Sequence, residues 1–210
     1  MSGYGDIGAE LIYAMPGVGN AVTNTVTTGQ ASGGPLLNGG PTAGVASLIP
    51  PCEIPHNYFS KQGKALLVDG VGVYSLGSTI PTMKLAAYID NVPGTPVASQ
   101  LLCATGAFTA DTTSRAAMAF NFRLYVTCTG VGPSGTLQAW GWLNWGMIPT
   151  LTTTVTAPQI TYVMGPATTT PITFNTAQSV PTYLDIYASW STSSTGPSIT
   201  LTQMFCWGLN

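Results

Sequence analysis

The sequence predicts an all-β protein: an antiparallel β-sandwich, jelly-roll-like, carrying an extended N-terminal arm. Three observations predict it. From residue 50 onward, runs rich in Val, Ile, Tyr, Phe, Trp and Thr recur at strand length; several of them alternate apolar and polar side chains; and no segment of ten or more residues carries a convincing helical stripe. About eight such runs with long connections suit two packed β layers.

The arm comes first. Residues 15–50 are rich in Gly, Pro, Thr, Ala and Asn and show no sustained period, so this stretch cannot build a packed core by itself. It nevertheless belongs to a region that carries Leu11, Ile12, Tyr13, Leu36 and Leu37, apolar residues a solvated linker would not need. The reading that fits both facts is an extended arm over residues 1–50 that orders against neighbouring subunits, with a disordered tail as the alternative. A β domain then occupies residues 51–210.

Within that domain the runs fall at residues 64–76, 82–90, 97–103, 118–129, 136–145, 159–164, 182–191 and 198–207. Asp69-Gly70, Pro93-Gly94, the stretch 130–135 and Thr195-Gly196-Pro197 read as turn signals. The run 118–129 is the clearest strand. Met118, Phe120, Phe122, Leu124, Val126 and Cys128 share one face, opposite Asn121, Arg123, Tyr125, Thr127 and Thr129. The last run repeats the pattern, with Ile199, Leu201, Phe205 and Trp207 expected on one face. In 136–145, Leu137, Ala139, Leu143 and Trp145 share a face, but Trp140 and Trp142 stand on the other with only Gln138 and Asn144. Both faces of that strand must meet something apolar, which points to an oligomer interface or to a covering loop.

Charge narrows the function. Only 12 of 210 residues are charged, five Lys+Arg and seven Asp+Glu, whereas a free globular domain carries about a quarter. Thr, Ser, Asn and Gln supply the polarity instead, groups that sit comfortably against another protein surface. Mean hydropathy is high at +0.29, yet no window approaches ~20 consecutive apolar residues, so no membrane span is expected. The first ten residues hold no basic cluster and two acids, unlike a secretory leader. Lys61 is the first cation, and no basic cluster follows, so nucleic-acid binding is not expected.

Reactive residues are scarce. The single histidine, His56, lies in Ile54-Pro55-His56-Asn57 and has only Ser60 and Asp69 as plausible triad partners; a structural role is favoured. Carboxylates are limited to Asp6, Glu10, Glu53, Asp69, Asp90, Asp111 and Asp185, with Asp69 and Asp90 read as turn residues and no calcium-loop spacing. Gly70-Val71-Gly72 lacks the third glycine and following helix of a dinucleotide loop. The cysteines Cys52, Cys103, Cys128 and Cys206 lack metal-ligand spacing and read as buried thiols, with a Cys103–Cys128 bridge left open. No catalytic residue, cofactor or metal is therefore expected. Tyr183, Asp185 and Tyr187 share a strand face that would suit either a subunit contact, the favoured reading, or a sugar-stacking platform.

The stretch from Ile54-Pro55-His56-Asn57-Tyr58-Phe59 through Gly63-Lys64, Gly70-Val71-Gly72 and Ile80-Pro81-Thr82, followed by Phe122-Arg123-Leu124 with Thr127-Cys128 and by Gly135-Thr136, resembles a set of small virion proteins of tailed bacteriophages, chiefly those of actinobacteria. The resemblance covers residues 50–145 and, more loosely, the remainder; the long Gly/Pro-rich arm departs from the shortest members. It implies a jelly-roll-like scaffold with a non-enzymatic role in the virion: capsid decoration, minor capsid protein or tail-associated component. The expected partners are further copies of the chain, as a homotrimer, and the major capsid protein or other virion proteins. The expected interface residues are Leu11, Ile12, Tyr13, Leu36, Leu37, Trp140, Trp142, Tyr183 and Tyr187. A tail-associated host-recognition or glycan-binding module is the alternative.

Overall fold

The computed structural model describes residues 8–19, 21–23, 32–35, 51–78, 82–91, 98–109, 115–147, 160–166, 171–177, 180–191 and 197–209. The chain is all-β and antiparallel, as the alternating runs require. Its strands are β1 (Ala9–Ala14), β2 (Ala21–Thr23), β3 (Ser32–Pro35), β4 (Cys52–Ile54), β5 (Ala65–Leu76), β6 (Thr82–Asp90), β7 (Leu101–Ala104), β8 (Phe108–Thr109), β9 (Arg115–Gly130), β10 (Thr136–Met147), β11 (Ile160–Pro166), β12 (Ile172–Thr173), β13 (Thr182–Trp190) and β14 (Ser198–Leu209). Among the described residues the only helical turn is Ala98–Gln100.

The strands form one connected sheet in the order β1-β14-β5-β9-β10-β11-β7-β6-β13-β3, with β2 on β14, β4 on β13, β8 on β6 and β12 on β10. Strand β11 joins the two limbs. Its residues 160–164 pair with β10, and its last two, Gly165 and Pro166, pair with β7. The sheet thereby folds back on itself into a nearly barrel-like body, and one hydrophobic core draws on both limbs. Phe108 of β8 meets Trp145 of β10 edge-on at 5.4 Å and stacks on Tyr162 of β11 at 4.0 Å.

Sequence explains the core locally. Strand β5 is a continuous twelve-residue strand. Asp69-Gly70 is therefore not a turn, and the glycines have another purpose. A Cβ on Gly70 would lie 2.3 Å from the Phe122 ring, and one on Gly72 would lie 2.3 Å from the Thr200 carbonyl oxygen and 2.5 Å from the Phe120 ring. Glycine is needed at both positions because two phenylalanines of β9 lie across β5 on the core side. The 130–135 turn does close a hairpin, as expected, with Gly132 at φ +103°. Thr176 clamps it, accepting a hydrogen bond from the Gly132 amide at 2.8 Å.

Part of the extended arm expected over residues 1–50 is described, and it pairs with the sheet of residues 51–210. Strand β1 pairs with β14, β3 pairs with β13, and Tyr13 and Met15 are buried in the chain's own core. The Met15 and Gly19 amides continue the edge, donating to the carbonyls of Met204 and Leu201.

Candidate functional site on the outer face of the sheet

Along β9 and β10 the alternation is strict. Phe120, Phe122, Leu124, Val126, Leu137, Ala139, Leu143 and Trp145 all point inward and are buried, leaving Asn121, Arg123, Tyr125, Gln138, Trp140, Trp142 and Asn144 on the outside. Cross-strand register then aligns these outward residues with those of β1, β14, β5 and β11 in three rows. The first runs Leu11, Trp207, Leu67, Tyr125, Trp140; the second Phe205, Asp69, Arg123, Trp142, Val163; the third Gln203, Val71, Asn121, Asn144, Thr161.

The first two rows hold five aromatic rings. Tyr125 and Trp140 stack at 4.8 Å with 21° between planes, and Trp142 lies 6.1 Å from each of them. Much of this surface is open: Trp140 is 52% exposed, Leu11 48% and Val163 74%. Ordinary monomers seldom leave so contiguous an apolar area in water.

The three rows carry one carboxylate and one guanidinium, and these neutralise each other. Arg123 donates from Nε to Asp69 Oδ1 at 2.5 Å and from Nη2 to Oδ2 at 2.9 Å, and its guanidinium carbon lies 5.9 Å from the Trp142 ring centroid. The hydrogen bond to Asp69 pushes the Arg123 pKa up from its ordinary value. Beside it, Thr161 donates to Asn144 Oδ1 at 2.7 Å and Asn144 Nδ2 donates to Asn121 Oδ1 at 2.7 Å. Asp69, Gly70, Val71, Asn121, Phe122, Arg123, Trp142 and Asn144 together line a shallow depression of about 370 Å³.

The expected interface residues are distributed as follows. Trp140, Trp142 and Leu11 lie on this face, with Leu11 at the far end of the first row from Trp140, while Ile12 is half-buried against the core. Tyr13 points the other way. A bulge between Leu11 and Tyr13 sets Leu11 opposite Trp207 on the outside and Tyr13 opposite Cys206 on the inside, where Tyr13 joins the chain's own core. Leu36 and Leu37 lie outside the described residues. Tyr183 and Tyr187 are half-buried on β13 in the other limb, with Tyr187 edge-on to Tyr88 at 6.1 Å. Asp185 between them is 0% exposed, so the Tyr183–Asp185–Tyr187 set is not an open platform with a free carboxylate.

Two parts of the outer face escaped the alternation argument. Phe205 and Trp207 were expected to share a face with Ile199 and Leu201, but a bulge between Leu201 and Gln203 inserts one residue and reverses the parity. Met204 and Cys206 enter the core instead, and Phe205 and Trp207 turn outward. Asp69, expected in a turn, is a mid-strand ion-pair partner; the Arg at the register position opposite it was the available signal.

All four cysteines are free and buried. Burial pushes the Cys103 thiol up to about 12, and a hydrogen bond with Cys206, reinforced by burial, pushes Cys52 well up. Neutral, enclosed thiols of this kind pack as small hydrophobes. His56 is exposed in the turn between β4 and β5, where Tyr58 and Ser60 donate backbone hydrogen bonds to Pro55 and Asn57. Among the described residues no group of three or more His, Cys, Asp or Glu side chains could hold a metal ion, and no helix is long and apolar enough to cross a membrane.

Compared with known proteins, the chain matches no family model, no curated protein and no solved structure.

Proposed function

We propose that this chain is a non-enzymatic structural protein of a virion that works by adhesion, using the outer face of its sheet as a contact surface. The reading follows the sequence resemblance for its setting: a homotrimeric capsid decoration or minor capsid protein that cements neighbouring subunits, with the major capsid protein or another virion protein as partner.

The observation that carries it is the row Leu11, Trp207, Leu67, Tyr125, Trp140, an apolar and aromatic stripe across five strands with no charge in it. A buried aromatic side chain removes roughly 150–250 Å² from water, and at about 25 cal/mol per Å² each ring contributes a gross few kcal/mol before association costs. A surface with almost no charge also lacks the repulsion that keeps monomers apart. A second reading, a tail-associated glycan-binding module, is favoured by a different observation: the polar depression beside Trp142.

The adhesion reading is tested with purified full-length protein. It should sediment as an oligomer and rebind virions stripped of it. A monomer that rebinds neither capsids nor tails would refute it.

A further inference from the structure

We infer that the depression beside Trp142 is a binding site for a neutral pyranose sugar, an inference that rests on the outer face being the working surface of the protein and names a ligand chemistry for one part of it. Four side chains, Asp69, Arg123, Asn121 and Asn144, and one ring, Trp142, decide the chemistry.

Hydrogen-bonding capacity is the first argument. Each polar side chain is already held by a neighbour: Arg123 by Asp69, Asn144 by both Thr161 and Asn121. Orientation is therefore set before a ligand arrives, which lowers the ordering cost of binding. A guanidinium has five N–H donors and a carboxylate about four acceptor positions, so the mutual pair leaves both kinds of capacity toward solvent, and the Asn144 amide adds a further N–H. Donors and acceptors thus alternate over a few ångströms. A sugar hydroxyl, which donates and accepts at once, fits such a mixture.

Charge is the second argument. The bidentate Arg123–Asp69 pair cancels itself, so a phosphate, sulfate or carboxylate would gain the guanidinium only against the adjacent carboxylate, and a cation meets the reverse. A neutral ligand faces neither conflict. An apolar peptide segment seated in the depression would instead strip water from four polar side chains and return no hydrogen bonds, at a cost in each case. Such a segment suits the neighbouring stripe through Leu67, Tyr125 and Trp140.

Shape is the third. Ligand sites are concavities of roughly 300–1,000 Å³ with an apolar wall and a few placed polar groups; here about 370 Å³ is lined by Trp142 together with those four polar side chains. The C–H face of a pyranose packs on such a ring while its equatorial hydroxyls reach the amides and the ion pair.

The test is saturation-transfer NMR and calorimetric titration of the full-length protein with methyl glycosides of glucose, galactose, mannose and N-acetylglucosamine, with glucose 6-phosphate and sialic acid as charged controls. At least one neutral glycoside is expected to bind saturably and to outcompete the charged sugars. Asn144→Ala and Asp69→Asn should each weaken it by about tenfold or more at unchanged melting temperature, and Trp142→Phe should retain more binding than Trp142→Ala. Absence of neutral-glycoside binding, preference for the charged sugars, or indifference to all the variants would overturn the inference. Failure of the adhesion reading is separate: Trp140→Ala should weaken rebinding to stripped virions whether or not a sugar binds. Loss of rebinding without any sugar binding leaves adhesion standing and removes the sugar site.

Discussion

The inner and outer faces of β9 and β10 are made from adjacent residues of the same two strands, yet they are finished in opposite ways. Inside, Phe120, Phe122, Leu143 and Trp145 are enclosed, Trp145 stacks on Tyr74 at 3.7 Å, and glycines in β5 are hollowed out to accept the two phenylalanine rings. Outside, Tyr125 stacks on Trp140, Trp142 lies tilted beside both with the Arg123 guanidinium over its ring, and Trp140 stays half in water. Similar residue types therefore serve two purposes. On the inner face the aromatic rings are enclosed in the core; on the outer face rings as large are left partly in water.

That contrast is open to attack by mutation. The largest effect is expected inside: Phe122→Ala leaves a cavity opposite Gly70 and should lower unfolding free energy by about 3–5 kcal/mol in a urea titration. A loss under about 1 kcal/mol would mean that the inner face is not packed as described. Strand β1 offers the same contrast two residues apart. Tyr13→Ala should cost roughly 3 kcal/mol because its ring is buried against β14 and β4, whereas Leu11→Ala should cost under about 1 kcal/mol. Equal costs would show that the bulge at Ile12 does not turn the two side chains to opposite faces.

A smaller effect is expected from pH. Cys103 holds its proton up to about pH 12 when folded but only to about 9 when unfolded, and Tyr58 is likewise raised, to about 12, by burial. The folded state therefore binds these protons more tightly, so the associated stability is fully present below about pH 9 and is lost as pH rises from 9 toward 12. By pH 11 the loss from Cys103 alone should be on the order of 2–3 kcal/mol, read as a falling melting temperature. Cys103→Ala should flatten the slope, and an unchanged slope would place the alkaline sensitivity elsewhere.

Much of this contrast was legible in the sequence. Period-two alternation in 118–129 and 136–145 assigned every core residue of β9 and β10 and singled out Trp140 and Trp142 as facing outward, because strand parity depends only on local backbone geometry. What was not legible arises where parity breaks or where pairing is remote. The bulges at Ile12 and at Thr202 each shift one residue, and nothing in Leu11-Ile12-Tyr13 or Leu201-Thr202-Gln203 announces them; Phe205 and Trp207 were misplaced as a result of the second. Asp69 next to a glycine carries the signature of a turn, and only the register of β5 against β9 turns it into the partner of Arg123. Strand β3 is short and lies in Gly- and Pro-rich sequence, so its membership in the sheet is a consequence of tertiary pairing with β13 rather than of local propensity.

The central claim is that the outer aromatic stripe is a contact surface and not a structural necessity. Its most direct measurement compares wild type and a Tyr125→Ala, Trp140→Ala double variant for rebinding to stripped virions, with melting temperatures taken on the same samples. A nearly unchanged melting temperature with rebinding weakened by at least about tenfold is expected. Full rebinding by the variant, or a collapse of its melting temperature, would contradict the claim.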